Sequence, residues 1–281
     1  MRENKLEHFP LVSVYITTKN RPEMLQRAIN SVLDQTYPNV EIIVSDDGST
    51  DETPDVMAKL VEQNDNIVYL RSDVSKGACH ARNKAIRQAK GIYVTGLDDD
   101  DRFTPVRIAD FVRAYSENVS FLFSLNYHYD GEKYSPSHYY NRIVTKDDIF
   151  RRNYIGNQIF VKKQTLVDNN IFFDEAFPAW QDYDFFTNLL CQVGPAKRVY
   201  SRSYITHTDH EKNRITNPKR ILAGYRLYYK KYVRYMSKSQ RVSLAVNLMV
   251  LSGKPIPVTL KKLCVKYARV WDLYRIIKNG K

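Results

Sequence analysis

Four consecutive aspartates, Asp98 to Asp101, follow the apolar run Ile92-Tyr93-Val94, within Gly96-Leu97-Asp98-Asp99-Asp100-Asp101-Arg102-Phe103-Thr104-Pro105. Like charges crowded onto the end of a buried strand raise one another's pKa values or require a compensating cation. A hard divalent ion supplies it: Mg2+ and Mn2+ take oxygen ligands and are held by one or two carboxylates together with substrate phosphates. The same four residues serve equally as an acidic, solvated loop entering a helix, whose N-terminus favours negative charge. Two other polar clusters, Thr17 to Arg21 and Asp46-Asp47-Gly48-Ser49-Thr50-Asp51, also stand directly after apolar runs.

The elements that must position these clusters alternate. Leu11 to Thr17 reads as a first strand and is followed by a helix with Pro22 in its first turn and Leu25, Ala28, Ile29, Val32 and Leu33 on one face. Val40 to Val44 is the second strand; Ser49 and Glu52 have capping-box spacing for a helix carrying Val56, Met57, Leu60 and Val61. Ile67 to Leu70 is the third strand, and a helix from about Ala78, closed by Gly91, leads to the strand that delivers the aspartates. Strands alternating with helices imply a parallel sheet with right-handed crossovers, in which ligands bind outside the carboxyl ends of the strands. All three clusters lie at such ends, so they converge on one edge.

Beyond Pro105, the spacing of Ile108, Phe111, Val112 and Tyr115 predicts a helix, Val119 to Tyr129 a strand and Asp130-Gly131 a hairpin turn. Asp182 to Val193 predicts another helix, ended by Gly194-Pro195. The cysteines, Cys79, Cys191 and Cys264, are far apart and have no ligand spacing. Met1 to Pro10 is polar and no run has membrane-spanning length, so a cytoplasmic protein is expected. The net charge of +12 resides in the C-terminal part: residues 219–281 carry 16 Lys and Arg against one acid, and residues 1–218 carry 27 against 30. A near-neutral body followed by a basic segment points to an anionic partner for that segment.

Taken in order, Thr17-x-x-x-Arg21, Ala28-Ile29-x-Ser31-Val32-Leu33-x-Gln35-Thr36-Tyr37, Glu41-Ile42-Ile43-Val44-x-Asp46-Asp47-Gly48-Ser49-Thr50-Asp51, Gly77-x-x-x-Ala81-Arg82-Asn83 and Leu97-Asp98-Asp99-Asp100-Asp101 resemble the opening of the family 2 glycosyltransferases. The resemblance is strong over residues 11 to 105 and extends weakly to about 215. It implies an α/β GT-A fold, a Rossmann-like and mostly parallel sheet flanked by helices, with a nucleotide-binding half at 11–115 and an acceptor half at 116–218. It also implies an inverting transfer from a nucleotide-sugar, with Mn2+ or Mg2+ as cofactor.

Position by position, the resemblance puts Asp47 at the uracil edge of a UDP-sugar donor, and Thr17, Arg21 and Arg82 against the base and phosphates. Asp98 and Asp100 become the metal and nucleotide pair, with Asp98 on the ribose or a metal-bound water. Asp99 is grouped with the nucleotide-sugar residues, and Asp99 and Asp101 also fit supporting or helix-capping roles. Trp180-Gln181-Asp182-Tyr183-Asp184 resembles the family's Glu-Asp motif with glutamine in place of glutamate. Asp182 is then the base that deprotonates the acceptor hydroxyl, Asp184 the substitute, and a helix-capping aspartate the plain alternative. Tyr204-Ile205-Thr206-His207 resembles the segment with a late histidine near the metal, a role for which His210 competes with His207.

Residues 219–281 read as a basic amphipathic helical tail. One stripe comprises Ile221, Tyr225, Tyr228, Tyr229, Tyr232, Val233 and Met236; a second, within Val258 to Lys278, comprises Leu260, Leu263, Tyr267, Val270, Trp271 and Tyr274. Such helices suit the anionic inner face of a cytoplasmic membrane, where a lipid-linked saccharide acceptor would lie. Packing of the stripes on the catalytic domain is the alternative. A nucleic-acid-binding protein would use the same basic residues, but its acidic site edge would repel a phosphate backbone. A Mg2+-dependent phosphatase or nucleotidyltransferase would leave the Asp46-Asp47-Gly48-Ser49 and Ala81-Arg82-Asn83 segments without a task.

Overall fold

The structure is a computed structural model that describes residues 9–137, 142–156, 158–209 and 218–267. Its first half alternates as expected: β1 (Val12–Thr18), α1 (Pro22–Leu33), β2 (Val40–Asp46), α2 (Thr53–Gln63), β3 (Ile67–Arg71), α3 (Ala78–Gln88) and β4 (Tyr93–Asp98). β2 and β4 flank β1, both parallel to it, and β3 lies outside β2. The chain therefore reverses its direction of winding between β1 and β4, the kind of switch point at which open α/β sheets form a ligand crevice. Register fixes its floor, because Thr17 pairs with both Ser45 and Asp98.

The second half completes a ten-stranded sheet. β5 (Arg102–Phe103) is followed by α4 (Arg107–Ala114) and β6 (Leu122–Tyr129), which turns through Asp130-Gly131 into β7 (Tyr134–Pro136). Then come β8 (Ile143–Val144), α5 (Lys146–Ile149), β9 (Phe160–Lys162), α6 (Lys163–Asp168), α7 (Gln181–Gln192) and β10 (Ala196–His207). β9 enters antiparallel between β4 and β6, whereas β6 and β10 pair in parallel. The path β3-β2-β1-β4-β9-β6-β10-β5 thus joins two parallel blocks, β1 to β4 and β6 with β10, through antiparallel β9, with β7 on β6 and β8 on β10.

Alternation along β1 separates two cores. Val12, Val14 and Ile16 face α1, α2 and α4, while Tyr15 faces the cluster that includes α3 and α7. The second cluster also takes in α8 (Pro218–Tyr232): Tyr228 is fully buried and stacks on Tyr183 with ring centroids 4.6 Å apart, and Tyr232 and Met236 are buried beside it. The first basic stripe therefore packs on the body, because its tyrosines supply aromatic surface that α7 would otherwise expose. Leu244 of α9 (Lys238–Leu251) joins the same core; α10 (Val258–Tyr267) packs on α9 through a small cluster around Cys264. The second stripe beyond Tyr267 lies outside the described residues.

Three local expectations change. The Ser49–Glu52 capping box does not form: Ser49 turns back to Asp46, and Asp51 accepts from the Thr53 N–H instead. α3 ends at Gln88, before Gly91, whose N–H donates to Ser13 and Glu41. Asp101 caps no helix: it precedes β5 and is buried against β10.

Candidate active site

The tetrad is split by the turn that ends β4. Asp98, still on the strand, accepts from Arg82 Nη2 at 3.1 Å and from Gln158 Nε2 at 3.0 Å. Asp99 turns inward, accepting from Thr18 Oγ1 at 2.8 Å and from Arg21 Nη1 at 3.0 Å. Asp100 remains partly exposed and takes the other contact of Arg21, at 3.1 Å. Asp101 accepts from the backbone N–H of His207 at 2.9 Å. Four adjacent carboxylates therefore have four different surroundings, and Asp98 and Asp100 keep the greater access to solvent, at 24% and 25% of their side chains.

Burial raises Asp98, Asp99 and Asp101 above ordinary aspartate values, Asp99 to about 6; mutual repulsion adds to the rise, and Arg82 and Arg21 oppose it at Asp98 and Asp99. Crowded, desolvated carboxylates of this kind form a hard-oxygen set suited to a divalent cation. His207 fits the same environment. Its ring is buried and its Nδ1 lies 3.5 Å from Asp209 Oδ1; burial, with Arg27 and Arg102, lowers its pKa against the pull of Asp209. Among the described residues no group of three or more His, Cys, Asp or Glu side chains is placed to hold a metal by itself. One or two carboxylates completed by substrate phosphates are enough for Mg2+ or Mn2+.

Arg82 ties the two halves of the molecule together. It projects from α3 against the ring of Phe173, 5.2 Å from the centroid, and reaches both Asp98 and Asp182, whose Oδ1 lies 3.6 Å from Nη1. Burial alone would weaken this cation; Asp182 and Asp98 outweigh it and hold the guanidinium above its ordinary pKa. Asp182 sits in the first turn of α7, and its Oδ1 is buried without a hydrogen bond. Burial pushes it up to about 6, against the pull of Arg82 and with a push from Asp98. It caps nothing, since the N-cap residue is Trp180. Asp184 points the other way, buried and bonded at 2.9 Å to both Lys231 Nζ and Tyr232 Oη of α8.

The remaining expected residues divide. Thr17 lies on the crevice floor between Ser45 and Asp98. Asp47 is nearly buried and anchors a turn: its carboxylate accepts from Ser75 Oγ and from the Lys76 and Gly77 N–H groups at 2.6 to 2.9 Å. Asp46 is held by Ser49 and Tyr69. His210 lies outside the described residues.

Four site residues were not read from the sequence. Thr18 and Arg27 support Asp99 and the Asp100 carbonyl; Tyr204 Oη lies 3.4 Å from Asp98 Oδ2. Gln158 bridges Tyr15 and Asp98, a reach that depends on Gly96, where a Cβ would stand 2.0 Å from Gln158 Oε1. Gly96 was the available signal for that close approach; Gln158 itself lies in a stretch without periodicity.

A family model described as glycosyl transferase family 2 matches residues 13–177. The chain belongs to glycosyltransferase family 2. It is 35% identical over 257 residues to WcaA of Escherichia coli strain K12, named for a glycosyl transferase role in colanic acid biosynthesis, covering 88% of each chain. It is 36% identical over 119 residues, 42% of this chain and 46% of the relative, to the Escherichia coli UDP-Glc:alpha-D-GlcNAc-diphosphoundecaprenol beta-1,3-glucosyltransferase WfaP. The fold matches Staphylococcus aureus TarS 1–349 in complex with UDP-GlcNAc with a TM-score of 0.63 at 18% identity, over 96% of this chain and 89% of TarS. The GT-A architecture and a glycosyltransferase activity are thereby established for this chain, with the C-terminal helices included in the aligned fold.

Proposed function

We propose that the protein is a metal-dependent, inverting glycosyltransferase that moves a sugar from a UDP-sugar to a hydroxyl of a lipid-linked saccharide in bacterial surface-polysaccharide assembly. The observation that carries the reading is the contact of one buried guanidinium, Arg82, with both Asp98 and Asp182. It joins the carboxylate edge suited to a nucleotide diphosphate to an acid placed to serve as a base.

In this reading the donor lies over the β1–β4 crevice, with Thr17, Arg21 and Arg82 toward its base and phosphates. Mn2+ or Mg2+, held by Asp98 and Asp100 with His207 nearby, would neutralise charge on the departing diphosphate. Asp99 holds Arg21 in place. Asp47 contributes by fixing the turn at residues 75–77, and its partly engaged oxygens keep acceptor capacity for a base N–H. The Asp182 carboxylate, 29% exposed, takes the acceptor's hydroxyl proton; a base poised near neutral pH suits that transfer. Displacement in one step at the anomeric carbon inverts its configuration.

The UDP-sugar and the diphosphoundecaprenol-linked acceptor named for WfaP support the choice of donor and acceptor class. No helix among the described residues is long and apolar enough to cross a membrane. The exposed Val258, Leu263 and Val265 of α10, beside Lys261, Lys262 and Lys266, support peripheral binding to an anionic bilayer. A panel of UDP-, GDP- and dTDP-sugars with Mn2+, scored by thermal shift and slow donor hydrolysis, tests the donor. Stabilisation and hydrolysis with a UDP-sugar are expected; stabilisation by none of them overturns it.

A further inference from the structure

Arg107, the first residue of α4, is 2% exposed and pairs with no carboxylate among the described residues. Its guanidinium lies among three rings, 4.6 Å from the centroid of Phe103, 4.4 Å from that of Phe111 and 5.3 Å from that of Tyr204, and its Nε–H has no partner. Burial lowers its pKa to about 9, which leaves it a cation at neutral pH. A buried charge without an opposite charge is costly, and an apolar side chain of similar volume would fill the same space without that cost. What the guanidinium adds is reach. Its Nη1 donates to Ser124 Oγ of β6 at 2.8 Å and to Ser203 Oγ of β10 at 3.1 Å.

Those two hydroxyls straddle a fault in the sheet. β10 and β6 stay in register up to Val199 and Ser124, but Arg202 then pairs with Leu125 and Tyr204 with Asn126, which leaves Ser203 as an extra residue on β10. Bulges of this kind bend a strand and re-aim a side chain. Arg202 is exposed while Ser203 and Tyr204 are both buried, so the inside–outside alternation breaks at this point. Tyr204 thereby brings its hydroxyl against Asp98, accepting the Asp98 N–H at 3.3 Å and lying 3.4 Å from Oδ2, and against Asp101. We propose that Arg107 is a positioning residue for sugar transfer: it clasps the bulge at Ser203 that aims Tyr204 at Asp98, and so fixes that carboxylate from the core side of the sheet. The proposal rests on Asp98 as part of the donor and metal site. Placement matters there, because a shift of about 1 Å in a group that positions substrate can cost about 10²-fold in rate.

Arg107→Met, Tyr204→Phe and the double variant of the full-length protein form a thermodynamic cycle with two readouts. Without ligand, hydrogen exchange of the backbone amides of residues 97–103 is followed by mass spectrometry. Each single substitution is expected to speed it by about tenfold while residues 40–46 of β2 exchange as before, and the double variant to add no more than about twofold. With Mn2+ present, UDP is titrated well below the Tm of each variant. Each single substitution is expected to weaken binding by about tenfold, again with no further loss in the double variant. An Arg107→Met protein that only melts earlier, with exchange at 97–103 and UDP affinity unchanged, overturns the proposal, as do losses that multiply in the double variant. If Arg107→Met does not fold, Ser203→Ala, which removes only an accepting hydroxyl, takes its place in the cycle. A wild type that does not bind UDP would count against the donor assignment, whereas the exchange cycle would still decide whether Arg107 holds Tyr204 at Asp98.

Discussion

Asp98, at the end of β4, and Asp182, at the start of α7, share one guanidinium: Arg82 donates to Asp98 at 3.1 Å and stands 3.6 Å from Asp182. Two desolvated acids are thus kept close together by one cation. Replacing Arg82 by methionine removes the positive charge that lowers both, so both carboxyls rise further. The acid limb of the kcat/KM profile, expected near pH 6 from Asp182, should move to higher pH, and UDP should bind at least tenfold more weakly. A pH–rate series with UDP titration checks this; an unmoved limb would remove Arg82 from the base's environment.

Asp182 should also cost the fold stability. Its folded-state pKa is raised to about 6 from 3.8, so the folded protein holds the proton more tightly than the unfolded chain. That contribution is present in full below about pH 4 and is lost as pH rises through 6. Asp182→Asn should therefore raise Tm at pH 7.5, by the equivalent of about 1–3 kcal/mol, with the gain vanishing below pH 4. Transfer should fall about 10²- to 10⁴-fold. Thermal melts from pH 4 to 8, beside transfer rates, test both halves.

Asp184→Asn should do the reverse. Its carboxylate is 1% exposed and accepts from Tyr232 and from Lys231, whose own side chain is 36% exposed; burial raises its pKa despite both partners, but leaving their donors without this acceptor costs about 1–3 kcal/mol. Tm should drop by several degrees while kcat per folded molecule stays within about threefold. Loss of kcat without loss of stability would exchange the roles of the two aspartates.

These contrasts show where the sequence was legible. Strand–helix alternation with a polar cluster at each strand end requires only local pattern, so β1 to β4 and the convergence of Arg21, Arg82 and Asp98 could be read directly. Asp182 and Asp184 both lie at a helix start, and which faces the crevice depends on α8 covering one of them, a contact between segments far apart in the chain. The same reason hid Gln158 and Tyr204, delivered to Asp98 from the irregular second half, Tyr204 by β10 and Gln158 by the segment before β9. The first basic stripe was ambiguous because tyrosines serve a core and a membrane boundary alike.

Metal should bind with nucleotide rather than before it. With one or two carboxylates available, the site is completed by phosphate oxygens, so Mn2+ alone should shift Tm little. Mn2+ with UDP at 100 times its Kd should stabilise by about 2.7 kcal/mol, or about 5–10 °C. Asp98→Asn and Asp100→Ala should each abolish most of that shift, and EDTA should stop transfer. A shift retained in both variants would place the metal elsewhere.

Membrane attachment is expected to depend on α10 and not on α8, whose tyrosines are committed to the core. A chain ending at Asn217 should therefore fail to fold, because it deletes Tyr228 and Tyr232, which are 0% and 5% exposed. The informative variant keeps every helix and reverses charge on α10, as Lys261→Glu, Lys262→Glu and Lys266→Glu together. Each lysine near an anionic surface contributes about 1 kcal/mol, so vesicle partitioning should fall by two to four orders of magnitude at about 0.1 M salt, while transfer to a soluble glycoside is unchanged. Co-sedimentation with phosphatidylglycerol vesicles reads the result, and equal partitioning of the triple variant and the wild type would exclude α10 as the anchor.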